Sequence, residues 1–182
     1  MTLFVVENVE ESSQRKLFTF MGVDYLATPR SFLNLPLMAL LGIVIAFLFA
    51  PVDELLEQVL IGIGYGLLII VVVQFHDLGH IIGARMVGAP MKSLLMTATV
   101  NLTIYEDDSE RPSRVHLGRA LGGPVFNLLL GLIVIVIYRS GADNHFILFF
   151  GIVNLALVAI TLLPIPSVDG SVILRELRNR KQ

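Results

Sequence analysis

The stretch "QFHDLGH" (74–80) sets two histidines, His76 and His80, four residues apart, with an acid, Asp77, directly after the first. Residues at this spacing share one face of a helix. The two imidazoles can therefore reach a single ion, which is how helical H-E-x-x-H sites hold zinc. An adjacent carboxylate supplies the second element such chemistry needs, a group that takes a proton from water and passes it on. In a soluble chain an exposed histidine pair would be unremarkable as a structural feature. Here an almost unbroken apolar run, "VLIGIGYGLLIIVVVQF" (59–75), stands in front of it. Ionisable groups within a membrane span are costly and face a bundle interior or a water-filled cavity. Metal binding is the favoured reading, and a hydrogen-bonded polar cluster is the alternative.

A catalytic zinc takes three protein ligands and keeps one position open. The chain has no cysteine, so the third ligand must be His, Asp or Glu. His116 lies beside a basic loop and reads as an interfacial residue, whereas His145 falls at the opposite membrane face. Glu106, Asp107, Asp108 and Glu110 read as a solvated acidic loop. Asp169 differs from all of these. It sits in "LLPIPSVDGS" (162–171), where two prolines end a helix and Gly170 permits a close turn. Non-helical backbone at membrane depth is tolerated only where it is buried in protein or lines a cavity. The competing reading is a helix-end turn in which Asp169 caps the short helix "SVILREL".

Two amides also fall in apolar runs, Asn127 in "GGPVFNLLLG" (122–131) and Asn154 in "HFILFFGIVNLALVAITLLP" (145–164). A buried amide needs a partner. Asn127 either donates to a substrate carbonyl or oxyanion, or ties two helices together; for Asn154 the tie is the favoured role. Gly118, Gly122 and Gly123 lie on the same stretch, and small residues allow close helix packing.

The elements that must position these groups are membrane helices. Of 182 residues 55% are hydrophobic and 15% charged, with mean hydropathy +0.79. Soluble domains are about 45–50% apolar and about 25% charged. Crossing a bilayer core takes about 20 apolar residues. Four segments are expected to do so: Phe32–Ala50, Val59–Val87, Val115–Tyr138 and His145–Pro164. The fold class is thus an α-helical integral membrane protein with about four transmembrane helices. The β-prone "PMKSLLMTATVNLTIYEDD" (90–108) predicts a small β-hairpin, strands about 90–105, between the second and third. Such a hairpin can capture an extended peptide on its edge, or simply connect two helices.

One membrane-embedded domain covers 1–182: an N-terminal cytoplasmic segment 1–31, a four-helix core 32–164, and a turn with a basic cytoplasmic tail 165–182. With four alternating spans, every lysine and arginine except Arg139 falls on one side, which predicts cytoplasmic N- and C-termini. His76, His80 and Asp169 then share a depth near the cytoplasmic face. The acidic N-terminal stretch lacks the features of a signal peptide. A net charge of −2 gives no electrostatic case for nucleic acid.

"FHDLGHIIGARMVG" (75–88), "GGPVFNLLLG" and "LLPIPSVDG", in this order, resemble the site-2 proteases, the intramembrane zinc metalloproteases of the M50 class. The resemblance runs from about Val59 to Arg175. It implies that His76, His80 and Asp169 bind one catalytic Zn2+, that Gly123 and Asn127 lie close by, and that Asp77 is the base. It also implies an endopeptidase in a cell membrane, suited to a prokaryotic inner membrane. The substrate would be a transmembrane segment of another membrane protein, cut near the cytoplasmic face. Three departures stand out. Asp77 replaces the family glutamate, Thr161 stands where an asparagine is often found, and "SVDGS" replaces the commoner "PLDGG". Asp is one methylene shorter than Glu. That predicts a working or slowed enzyme, with a non-cleaving zinc-binding adaptor or scaffold as the alternative.

Overall fold

A computed structural model describes residues 13–50, 52–106, 111–166 and 168–179. Five helices carry the architecture: α1 (Asn34–Phe49), α2 (Leu55–Met86), α3 (Ser113–Arg139), α4 (His145–Thr161) and α5 (Asp169–Asn179). Three stretches are long and apolar enough to cross a membrane: Ser31–Phe49, formed by a 3-10 turn running into α1, then α2 and α3. The segment expected as a fourth span forms α4, a shorter apolar helix of 17 residues that falls outside these three. It stops at Thr161, short of Pro164 and Pro166, whose rings disfavour helical backbone in the residues before them.

Glycines let these helices approach. A side chain at Gly42 on α1 would collide with the backbone of Gly62 and Gly66 on α2. Farther along α2, side chains at Gly79 and Gly83 would strike the backbone of Gly122 and Gly118 on α3. Without a hydrophobic driving force between helices in lipid, contacts of this kind supply the packing. One face of α2 is thereby held by α1 and a later stretch by α3.

Four strands form one sheet in the order β1-β2-β3-β4: β1 (Arg15–Phe20), β2 (Val23–Ala27), β3 (Ser93–Met96) and β4 (Asn101–Ile104). The expected hairpin between α2 and α3 is there as β3 and β4, paired antiparallel. It is only half of the sheet. The N-terminal segment, in which no strand was expected, contributes β1 and β2 through a two-residue turn at Met21–Gly22, both with positive φ (48° and 67°). That geometry suits the twist of a hairpin. β2 then pairs in parallel with β3, across two intervening helices. Val23, Tyr25, Met91 and Leu94 pack on Ile81 of α2, so the sheet is seated one residue beyond His80.

α5 lies against α3. Its buried Glu176 accepts hydrogen bonds from Ser113, at the start of α3, and from Arg175 Nε at 3.0 Å. Burial pushes the carboxyl's pKa up, but these two bonds together with the nearby positive charge of Arg175 and the His116 ring bring it below the ordinary glutamate range. A carboxylate at a helix N-terminus is also favoured by the helix dipole.

Candidate metal centre

At 1.5 Å per residue, His76 lies about 32 Å along α2 from its first residue, Leu55, in the second half of the helix. His76 and His80 are both buried, and their Nε2 atoms approach to 3.0 Å. Asp169, the first residue of α5, completes the group: its Oδ2 is 3.1 Å from His76 Nε2 and its Oδ1 3.4 Å from His80 Nε2. The turn carrying Asp169 is held tightly, since a side chain at Gly170 would run into the carbonyls of Leu162 and Leu163. Asp169 therefore turns toward the histidines instead of serving only as a helix cap. These three are the group among the described residues whose ligand atoms could share one ion, all within 4.8 Å of one another.

The hydrogen-bond partners decide what the converging atoms offer. His80 Nδ1 is 2.8 Å from the carbonyl of Arg119, which can only accept, so Nδ1 carries the proton and Nε2 a lone pair. His76 Nδ1 is 2.9 Å from Asn127 Oδ1 and is arranged in the same sense. Two lone pairs and a carboxylate thus face one another at 3.0–3.4 Å. Three acceptors packed this closely repel unless a metal cation or a proton lies among them. Tetrahedral zinc, with bonds of about 2.0–2.1 Å, keeps its ligand atoms about 3.3 Å apart, so the donor set fits that ion.

The glycine at 123 makes the convergence sterically feasible. A Cβ there would stand 2.6 Å from His76 Nε2 and 2.6 Å from His80 Nε2. Asn127, one turn further along α3, is fully buried. Its Nδ2 reaches Val72 O at 3.3 Å and Asn154 Oδ1 at 2.7 Å. The same amide therefore contacts His76 and ties α2, α3 and α4 together, the helix-tie alternative for Asn127 and Asn154, and its contact with His76 is an addition the sequence does not signal.

Asp77 is buried and faces the sheet. Asn101, the first residue of β4, donates from Nδ2 to Asp77 Oδ2 at 2.5 Å. Asn101 has no signal in the sequence, because its contact with Asp77 depends on the register of β4. A cleft of about 510 Å³ opens here, lined by His76, Asp77 and Asp169, by Asn101 and Leu102 of β4, and by Leu157 and Thr161 of α4. Arg119 ties α3 to the loop and sheet, donating from Nε to Ala89 O at 3.1 Å with its guanidinium 3.9 Å from the centre of the Tyr105 ring.

The remaining candidates lie elsewhere. His116 bonds through Nε2 to Arg111 O at 3.1 Å, and His145 meets Tyr65 Oη through Nδ1 at 3.0 Å. Glu106 pairs with Lys92 at 2.7 Å. Asp107, Asp108 and Glu110 lie outside the described residues.

With this geometry in place, likeness to solved structures becomes informative. A site-2 protease from Methanocaldococcus jannaschii superposes over 92% of this chain and 73% of that one, with a TM-score of 0.64 at 18% sequence identity. The fold is that of a site-2 protease. No family model and no curated protein sequence matches the chain. On the site-2 protease fold, the three sequence motifs fall on α2, on α3 and on the turn between α4 and α5.

Proposed function

We propose that the chain is an intramembrane zinc-dependent endopeptidase that cuts transmembrane segments of other membrane proteins near the cytoplasmic face. The observation that carries this reading is the convergence of His76, His80 and Asp169, with Asp77 lining the same cleft, within a site-2 protease fold. The protein is a multi-pass protein of a prokaryotic inner membrane, with both termini cytoplasmic. α4 serves as its fourth span, because its 17 predominantly apolar residues reach about 26 Å, at the short end of the range for a crossing helix.

Zinc bound by His76, His80 and Asp169 supplies Lewis acidity toward a peptide carbonyl and toward water. The chain's own residues do the rest. Asn101 holds Asp77 Oδ2, which leaves Oδ1 to take the proton of the attacking water and return it to the departing amine. Among the described strands β4 is the edge of the sheet, and it lines the cleft, where an unwound substrate strand would find backbone partners. Asn127 acts on His76 and not on the substrate, because both ends of its amide are engaged within the protein.

Asp77 is the residue on which activity turns. A misplacement of about 1 Å can cost about a hundredfold in rate, or about 2.7 kcal/mol, which slows an enzyme without silencing it. Asp77→Glu is expected to retain or raise activity, and Asp77→Asn to remove it. A non-cleaving zinc-binding scaffold is the second reading, favoured by the engagement of the short Asp77 carboxylate with Asn101. Purified zinc-loaded protein in detergent, given a transmembrane test peptide, separates the two. Cleavage lost in His76→Ala and Asp169→Ala is expected. Intact peptide beside stoichiometric zinc would establish the scaffold instead, and unchanged zinc affinity in Asp169→Ala would remove that residue from the ligand set.

A further inference from the structure

We infer that Asn154 is a positioning residue of the metal centre, acting through Asn127 to hold the Nδ1 proton of His76 and so aim its Nε2 lone pair at the ion. The inference rests on the zinc reading above and adds a residue on α4 that touches neither metal nor cleft.

Hydrogen bonds from Phe150 O to His76 form one directed chain. Asn154 and Asn127 are both 0% exposed, so no water can substitute for a missing partner. Asn154 Nδ2 lies 2.8 Å from the carbonyl of Phe150, an atom that only accepts. The amide group of Asn154 is thereby oriented, and its Oδ1 must face Asn127. Asn127 meets that oxygen at 2.7 Å and the carbonyl of Val72 at 3.3 Å, so its own NH2 must point at both. Its Oδ1 is left for His76 Nδ1, 2.9 Å away, which can satisfy it only by donating. Backbone carbonyls fix the chain at two points, and every amide between them has one allowed orientation. Reversing Asn127 would set its Oδ1 against two acceptors.

Without the oxygen of Asn154, Asn127 keeps only the longer bond to Val72 O. Its amide can then turn, presenting NH2 to His76 Nδ1. The proton of His76 would move to Nε2, the position the ion requires. His80 needs no such support, because a backbone carbonyl already sets its tautomer. Partners one step behind a metal ligand are worth about 10–100-fold in affinity; one step further back, about tenfold is expected.

The test uses full-length protein labelled with 15N-histidine in detergent micelles, loaded with zinc. There are 4 histidines to resolve. In the wild type the Nδ1 protons of His76 and His80 should both be downfield and slow to exchange. In Asn154→Leu, and in Asn154→Ala, which leaves space instead of bulk, the His76 proton should move upfield and exchange faster while that of His80 stays. Zinc affinity, read by competition with a chromophoric chelator, should fall about tenfold. Asn154→Asp keeps an acceptor toward Asn127 and should restore both readings. An unchanged His76 proton and affinity in the folded Leu or Ala variants would overturn the inference. So would an Asp variant as weak as the Leu variant. Wild-type protein that takes up no zinc would instead overturn the metal reading on which it stands.

Discussion

Helix α2 uses one packing device twice, for different ends. In its first half, Gly62 and Gly66 let α1 approach, and the neighbouring surface is filled by Ala46, Ile61 and Tyr65, the last stacked on Phe149 at 3.9 Å. In its second half, Gly79 and Gly83 let α3 approach, and the neighbouring space holds His76, Asp77 and His80. In the first half the absent side chains bring backbones together, and stability is the product. In the second, the facing helix omits one more side chain, at Gly123, and the room goes to two imidazoles. Close packing and an internal polar site are thus compatible, because glycine on the opposing helix makes space where the ligands converge.

Substitutions at these glycines and their neighbours can break that contrast. The largest effect is expected at Gly123→Ala, whose Cβ would overlap the Nε2 atoms of both His76 and His80. Zinc affinity should fall by at least about a hundredfold, the upper end of what a supporting residue costs. Helical content should be retained. Chelator competition and circular dichroism would check this, and wild-type zinc binding would show that the imidazoles can re-seat. A smaller effect of the opposite kind is expected at Gly42→Ala. Overpacking against the α2 backbone costs about 1–3 kcal/mol, so the unfolding temperature in detergent should drop while the folded fraction binds zinc normally. The smallest belongs to Tyr65→Phe, which removes the hydrogen bond to His145. A loss of about 1 kcal/mol is expected, visible in thermal unfolding and absent from zinc titration.

Much of the site was legible from residue type and spacing. The histidine pair follows from helical periodicity, and Asp169 from an acid placed where two prolines end a helix at membrane depth. The β3–β4 hairpin was legible from Thr, Val and Ile in a segment too polar to span. What stayed hidden depends on tertiary register. The alternation of Val23, Tyr25 and Ala27 after Met21–Gly22 is a local strand signal, but its partner β3 lies across two helices. Asn101 meets Asp77 only because the sheet places β4 over that turn of α2. Asn154 looked like a helix tie, and only the directions of its hydrogen bonds connect it to His76.

The parallel pairing of β2 with β3 has a consequence for how the molecule is made. Asp24 pairs with Ser93, so the N-terminal hairpin must wait for about 70 further residues, including two membrane helices, before its sheet can close. At synthesis rates of about 5–20 residues per second, that is roughly 3–14 s in which the hairpin has no partner strand. Non-local pairing of this kind is slow to form. Asn101 arrives later still, on the strand that completes the sheet. A nascent chain therefore carries both histidines before it has the strand that holds Asp77, and Asp169, the third member of the cluster, follows only with α5.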